Sequence, residues 1–354
     1  MTIITILGAG AMGTALTTPL ARNEQEMRLW GTELDVALLA EMRARQPHRR
    51  LGVPVDPRVR LYDPDDLPAA LSGAEVVGLA ITSDGVISIL QRAAPHLRPG
   101  QPLVMVTKGF GRDASGRMSL LPPLLTATLS ASLRQRCPIV AVGGPCKANE
   151  VAAGWPTATV YGCDDTATVA RCQRLFQTDQ YRILPTDDVV GLEMAAALKN
   201  AYVIALGICD GLEQASGHPW HNLKAAIFPQ AVAEMAHLAQ MLGGRGETVS
   251  GLAGAGDLQV TALSGRNRLL GERVGRGEPV AEALEAMRRA EQTVEGVAAV
   301  YSGVELLAQL AADGQVAVED YPLLAAIRAI LDGTSNIVER LADAVLPHRG
   351  TPIQ

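Results

Sequence analysis

The residue with the clearest chemical potential is Lys199, the one cation in the stretch Gly191 to Gly211, GLEMAAALKNAYVIALGICDG. Leu192, Ala195, Ala196, Leu198, Tyr202, Val203, Ala205 and Leu206 cover most of a helix circumference there, which predicts a centrally buried helix. A desolvated ammonium on a rigid helix is a proton donor for chemistry that builds charge on oxygen. Taken alone, the pattern also suits the commoner case of a lysine whose ammonium snorkels to solvent. The decision rests on the rest of the chain.

Two further groups lie downstream. Gly251 to Leu258, GLAGAGDL, is a glycine-rich bend that a plain helix does not explain. Asp257 emerges from it and Thr261 follows one helical turn later, a spacing that points both side chains into one cavity. A helix N-cap is the other reading of Asp257. Next, Ser264-Gly265-Arg266-Asn267-Arg268 opens a helix. Arg266 can fork two bonds to a phosphate, with Asn267 and the helix N-terminus adding neutral donors. Arg268 reads as a surface residue. Gln292 to Gly296 is a polar loop before an apolar helix.

The elements that must position these groups begin at the N-terminus. Thr2 to Leu7, TIITIL, reads as a buried parallel strand. It runs into Gly8-Ala9-Gly10-Ala11-Met12-Gly13 and then a helix. In this strand, G-x-G-x-x-G, helix order, Gly8 permits the turn, Gly10 lets a pyrophosphate approach the backbone, and Gly13 lets the helix pack on the strand. A second strand, Met27 to Trp30, delivers Gly31-Thr32-Glu33 to the adenosine ribose. A glutamate there accepts from ribose hydroxyls and repels a 2′-phosphate, so Glu33 favours NAD over NADP. The arginines that follow, Arg43, Arg45, Arg49 and Arg50, read as a solvated face. The strand Leu103 to Thr107 carries Lys108 to the carboxyl edge, where it is placed to reach substrate or cofactor. Ile139 to Val142 leads into a turn at Gly143-Gly144 and then a helix, which would present N–H groups to an anion or amide.

The chain has 354 residues, enough for two domains. With 48% hydrophobic residues, 3% aromatic and 35 Gly, it suits an Ala/Val/Leu-rich α/β enzyme rather than a disordered chain. A net charge of −6 gives no reason to expect nucleic acid or an anionic membrane as partner. The five cysteines have neither a C-x-x-C pair nor matching histidines, so no metal site or disulfide framework is expected and a reducing cytoplasm fits. No apolar run is expected to reach the length of a membrane span. Strand signals end near residue 187. The expected organisation is therefore a dinucleotide-binding α/β domain over 1–187, an all-helical substrate domain over 188–346 and a tail over 347–354. A homodimer follows common usage.

Together these motifs resemble the soluble bacterial NAD(P)-dependent glycerol-3-phosphate dehydrogenase family, and the resemblance covers nearly the whole chain. Gly8 to Gly13 is similar to its G-A-G-x-x-G, and Lys108-Gly109 to its K-G. Gly144-Pro145 with Ala148 and Glu150-Val151-Ala152 is similar to its G-P motif. Ala197 to Asn200, Asp210 to Leu212, Gly251 to Leu258, Arg266 to Arg268 and Val294 to Gly296 follow the family's remaining motifs in order. The resemblance implies a Rossmann-like doubly wound sheet followed by an all-α domain of the 6-phosphogluconate dehydrogenase C-terminal type. It implies interconversion of sn-glycerol 3-phosphate and dihydroxyacetone phosphate, feeding glycerophospholipid synthesis. Lys199 would be the general acid/base. Asn200, Asp257, Thr261, Arg266 and Asn267 would bind substrate, and Lys108 and Gly144 substrate or cofactor. Ala11, Met12, Ala148, Thr293 and Glu295 would line the dinucleotide, with Arg266 touching it as well.

The sequence departs from the family pattern at three places. Phe228-Pro229-Gln230 stands where the family has T-R-G, Cys146-Lys147 where it has Ser/Thr and Phe, and Gly265 where it has Ser. They leave open a related dehydrogenase acting on another phosphorylated or carboxylated hydroxy compound.

Overall fold

A computed structural model describes residues 2–21, 23 and 25–347. The chain divides into two compact units: 1–111 with 119–193, and 112–118 with 194–354. The division falls inside the helix Val189–Ser216, a turn and a half beyond the change of composition at 188. The tail expected over 347–354 lies, beyond Pro347, outside the described residues.

The first unit is built on an eight-stranded sheet. Its strands are β1 (Ile3–Leu7), β2 (Glu26–Trp30), β3 (Arg60–Tyr62), β4 (Val76–Leu79), β5 (Leu103–Met105), β8 (Ile139–Gly143), β9 (Thr157–Gly162) and β10 (Tyr181–Thr186), in the order β10-β9-β8-β5-β4-β1-β2-β3. β6 (Phe110–Arg112) and β7 (Met118–Leu120) pair separately. From β3 to β8 the neighbours are parallel; β9 runs antiparallel to β8, and β10 parallel to β9. The β-branched runs form strands buried on both faces because helices flank them: Ile4, Ile6, Val76, Val104 and Val140 are fully buried. β1 pairs Ile6 with Leu29 on one side and Gly78 on the other, so the turn after β1 emerges at the centre of the carboxyl edge. This unit is the doubly wound α/β half. The short strands β3, β6 and β7 are not apolar runs and so give no strand signal in sequence, unlike the equally short but wholly apolar β5.

The second unit is helical. Its principal helices after Val189–Ser216 are His221–Met241, Arg266–Gly275, Val280–Arg289, Glu295–Ala312, Pro322–Leu331 and Ile337–Val345. Val189–Ser216 is alanine-rich and free of proline. The carboxylate of Asp188 accepts from Gly191 N at 2.9 Å at its start, and Gly217 closes it with φ 69°. Contrary to the expectation that no run is long enough, this helix has the length and composition to cross a bilayer. Yet 89% of its most apolar window is buried within the protein, which is how a core helix meets the same criterion.

Gly207 and Gly211 face Gly271 and Gly275 of the helix Arg266–Gly275. A Cβ on Gly211 would lie 2.8 Å from Gly275 Cα, and one on Gly275 3.0 Å from Gly211 Cα. Only glycines let these two backbones touch, and the contact brings the start of the second helix alongside Lys199 and Asn200.

Glu234 organises the other side of this unit. It is 2% exposed and accepts from Tyr202 Oη (3.0 Å), Gln230 Nε2 (3.0 Å), Leu323 N (2.7 Å) and Leu324 N (3.0 Å), the last two at the N-terminus of Pro322–Leu331. Burial still holds its carboxyl above the usual range. The departure at Gln230 thus has a structural function. Glu234→Ala, which strands a hydroxyl and two amides, is expected to lower the urea unfolding free energy by about 3 kcal/mol, with Glu234→Gln losing less.

Candidate active site

In the first unit the glycine loop is held from both sides: Gly8 N donates to Trp30 O at 2.8 Å and Ala80 N to Leu7 O at 2.9 Å. Gly8 has φ 107°, and a Cβ there would lie 2.5 Å from Ala80 O. Gly10 is different. A Cβ built on it meets no atom within 4 Å, so packing within the chain does not require glycine at this position. Open space above Gly10, at the mouth of the helix Ala11–Ala21, fits a pyrophosphate drawn against the backbone. Ala11, Met12 and Gly13 form the first turn of that helix.

Glu33 stands in the turn after β2, exposed, and pairs with Arg92 of the helix Ser83–Ala93 at 3.0 Å. Its carboxyl is lowered first by a backbone hydrogen bond and then by Arg92, whose guanidinium also lies over the Trp30 ring. Arg92 was not legible from sequence, because its partner is 59 residues away. It offsets part of the charge on which the expected preference for NAD relied. Lys108 follows β5, with Gly109 at φ 133°, and Gly144 follows β8 at φ 96°. Ala148 opens a helix of only six residues, Ala148–Ala153, which has Lys147 at its start.

In the second unit Lys199 is 6% exposed and Asp257 1%. Lys199 Nζ donates to Asp257 Oδ1 and, at 2.9 Å, to Thr261 Oγ1, which donates in turn to Asp257 O at 2.6 Å. The lysine therefore does not snorkel. The glycine-rich bend is a π-helical turn over Leu252–Gly256, in which Gly256 N donates to Gly251 O at 3.1 Å. That wider turn delivers Asp257 as the first residue of the helix Asp257–Leu263, with its carboxylate on the ammonium rather than on a cap.

A second cluster adjoins the first along the helix. Asn200 Nδ2 donates to Glu295 Oε2 at 3.2 Å, and Arg266 Nη2 to Glu295 Oε1 at 3.3 Å. Asn267, 7% exposed, accepts from Gly296 N at 2.8 Å, which orients its side chain and leaves its amide N–H groups to donate. Thr293 is exposed just before the helix Glu295–Ala312. Arg268 is tied to Asp210 at 2.7 Å, and Lys224 donates to the same carboxylate. Among the described residues no group of His, Cys, Asp and Glu is arranged to hold a metal ion.

The family model for the N-terminus of NAD-dependent glycerol-3-phosphate dehydrogenase matches residues 3–169, and that for the C-terminus matches residues 188–342. An NADP(+)-dependent glycerol-3-phosphate dehydrogenase of Archaeoglobus fulgidus is 37% identical, over 91% of this chain and 95% of the relative. A glycerol-3-phosphate dehydrogenase [NAD(P)+] of Geobacter sulfurreducens is 34% identical, over 86% and 89%. The solved structure of a glycerol-3-phosphate dehydrogenase from Coxiella burnetii matches with a TM-score of 0.80 at 29% identity, covering 98% of this chain and 99% of that one. Motif order, fold and relatives agree, and the chain belongs to the NAD(P)-dependent glycerol-3-phosphate dehydrogenase family.

Proposed function

We propose that this enzyme interconverts dihydroxyacetone phosphate and sn-glycerol 3-phosphate, with Lys199 as general acid and base. The observation that carries the reading is the buried group Lys199, Asp257 and Thr261. A bound nicotinamide dinucleotide supplies or accepts the hydride. As the ketone is reduced, charge grows on its oxygen, and an ammonium donor there relieves it. Asp257 and Thr261 both accept from the ammonium and so hold it in place on the helix. Asn200, Arg266 and Asn267 bind the substrate, the guanidinium taking the phosphate by exchanging its contact with Glu295. Lys108 and Gly144 contact substrate or cofactor. Phosphate binding away from the reacting carbon supplies orientation. Gly8, Gly10, Ala11, Met12, Gly13, Glu33, Ala148, Thr293 and Glu295 bind the dinucleotide.

The purified protein is expected to oxidise NADH and NADPH with dihydroxyacetone phosphate, with NADH preferred modestly because Arg92 offsets Glu33. Absence of turnover in a folded, cofactor-binding preparation rules out the substrate. A preference for NADPH of about tenfold, or 1.4 kcal/mol, rules out the role given to Glu33. The same reading makes the enzyme a cytoplasmic homodimer whose product feeds glycerophospholipid synthesis. None of the five cysteines is joined in a disulfide, which fits a reducing compartment.

A further inference from the structure

Asp210 has no part in the function just described, yet two cations converge on it. It follows Lys199 by about three turns on the helix Val189–Ser216, and its side chain is 14% exposed. Arg268 Nε donates to its Oδ2 at 2.7 Å, and Lys224 Nζ, from the helix His221–Met241, donates to its Oδ1. Arg268 follows Arg266 and Asn267 directly, in the first turn of the helix Arg266–Gly275.

The seam between the two helices explains why such a tie is needed. Gly207 and Gly211 on one helix, and Gly271 and Gly275 on the other, are each four positions apart. Backbone meets backbone there: a Cβ on Gly207 would lie 2.2 Å from Arg268 O, and one on Gly271 2.1 Å from Ile204 O. Interlocking side chains normally set the register of a helix pair, and glycines offer none. A displacement of one turn, about 5.4 Å, would set Gly271 against Gly211 or Gly275 against Gly207, and glycine would face glycine either way. The glycines permit the close approach without choosing its register. The charged side chains choose it. In the observed register Asp210 meets Arg268. With Gly275 against Gly207 it would meet Glu272, carboxylate against carboxylate, and with Gly271 against Gly211 it would lose Arg268. Gln214 Nε2 repeats the tie one turn further on by donating to Glu272 Oε1 at 2.5 Å, at the end away from Arg266.

We infer that Asp210 is a positioning residue for the substrate phosphate. Through Arg268 it fixes the register of the helix Arg266–Gly275 on the central helix, and with it the places of Arg266 and Asn267. The inference rests on the reading of those two residues as substrate contacts. Lys224 shares the carboxylate but belongs to a helix with no substrate residue, so it contributes to stability alone.

The test compares three variants at one carboxylate. Asp210→Asn keeps the size of the side chain and removes its charge. It is expected to raise KM for dihydroxyacetone phosphate about tenfold, with kcat and the Kd for NADH within about threefold of the unaltered enzyme. Arg268→Ala should reproduce the rise, and it carries the test if Asp210→Asn does not fold. Both changes together should do no more than either alone, because they break one tie. Lys224→Ala should lower the melting temperature yet leave KM within about twofold. A rise in KM as large in Lys224→Ala as in Arg268→Ala overturns the inference, since the carboxylate then acts only by holding the helices together.

Hydrogen exchange of the amides of residues 266–275, measured without ligand, separates the two ways in which KM could stay unchanged. Exchange there should quicken about tenfold in Asp210→Asn as the tie is lost. If neither exchange nor KM changes, Asp210 does not set the register and the inference fails. If exchange quickens and KM does not move, the substrate reading of Arg266 and Asn267 fails instead. If the unaltered enzyme does not turn over dihydroxyacetone phosphate, the substrate reading has already failed, and the exchange rates alone decide the register.

Discussion

Lys199→Ala is expected to lower kcat by about 10³-fold, within the range for loss of a positioned general acid, while leaving NADH affinity within about twofold in a fluorescence titration. The split follows from placement: Lys199 bonds Asp257 and Thr261 within the helical unit, whereas the glycine loop lies in the sheet unit. The substitution also leaves the Asp257 carboxylate buried at 1% exposure without its ammonium, which should lower the unfolding free energy by about 3 kcal/mol. Lys199→Ala combined with Asp257→Ala should therefore be more stable than Lys199→Ala alone, yet no more active. Near-full kcat in the folded single variant excludes Lys199 as the proton donor. A double variant no more stable than the single one shows that the pair is not energetically coupled.

Gly10→Val should abolish useful cofactor binding without unfolding the protein. The position has open space where a side chain would go, so the melting temperature should move by no more than a degree or two, the scale of a surface substitution. The space that Val fills is the one assigned to the pyrophosphate. The Kd for NADH should rise about 100-fold, equivalent to about 2.7 kcal/mol. Gly8→Val is the contrasting case. Its φ of 107° and the nearness of Ala80 O make any Cβ a strain on the fold, so stability and cofactor binding should fall together. If Gly10→Val binds NADH as tightly as the unaltered enzyme, the dinucleotide does not cross Gly10.

Much of the fold was legible because it depends on local periodicity. β-branched runs of four to seven residues, each followed by a turn, specify buried parallel strands, and the change to helical spacing near residue 188 marks the helical half. The exceptions have physical causes. Short strands that are not apolar runs carry too little pattern, and the membrane criterion failed because alanine and glycine keep a core helix as apolar as a span.

The site was legible in its residue types but not in its partnerships. Lys199, Asp257, Thr261, Arg266 and Asn267 were readable from chemistry and spacing, and so was Gly10. Asp257 sits against Lys199 because of a π-helical turn and a contact between glycine-bearing helices, and neither is encoded within a few residues of the lysine. The pairing of Arg92 with Glu33, the four bonds that explain Gln230 and Glu234, and the pairing of Arg268 with Asp210 join positions separated in sequence or depend on burial. Propensity and spacing act over a few residues, so the sequence by itself determined the elements and the chemical groups they carry. Burial and charge pairing depend on which distant segments pack together. Only the tertiary structure therefore decided that Lys199 is held by a carboxylate instead of reaching water, and that Arg268 is tied to Asp210.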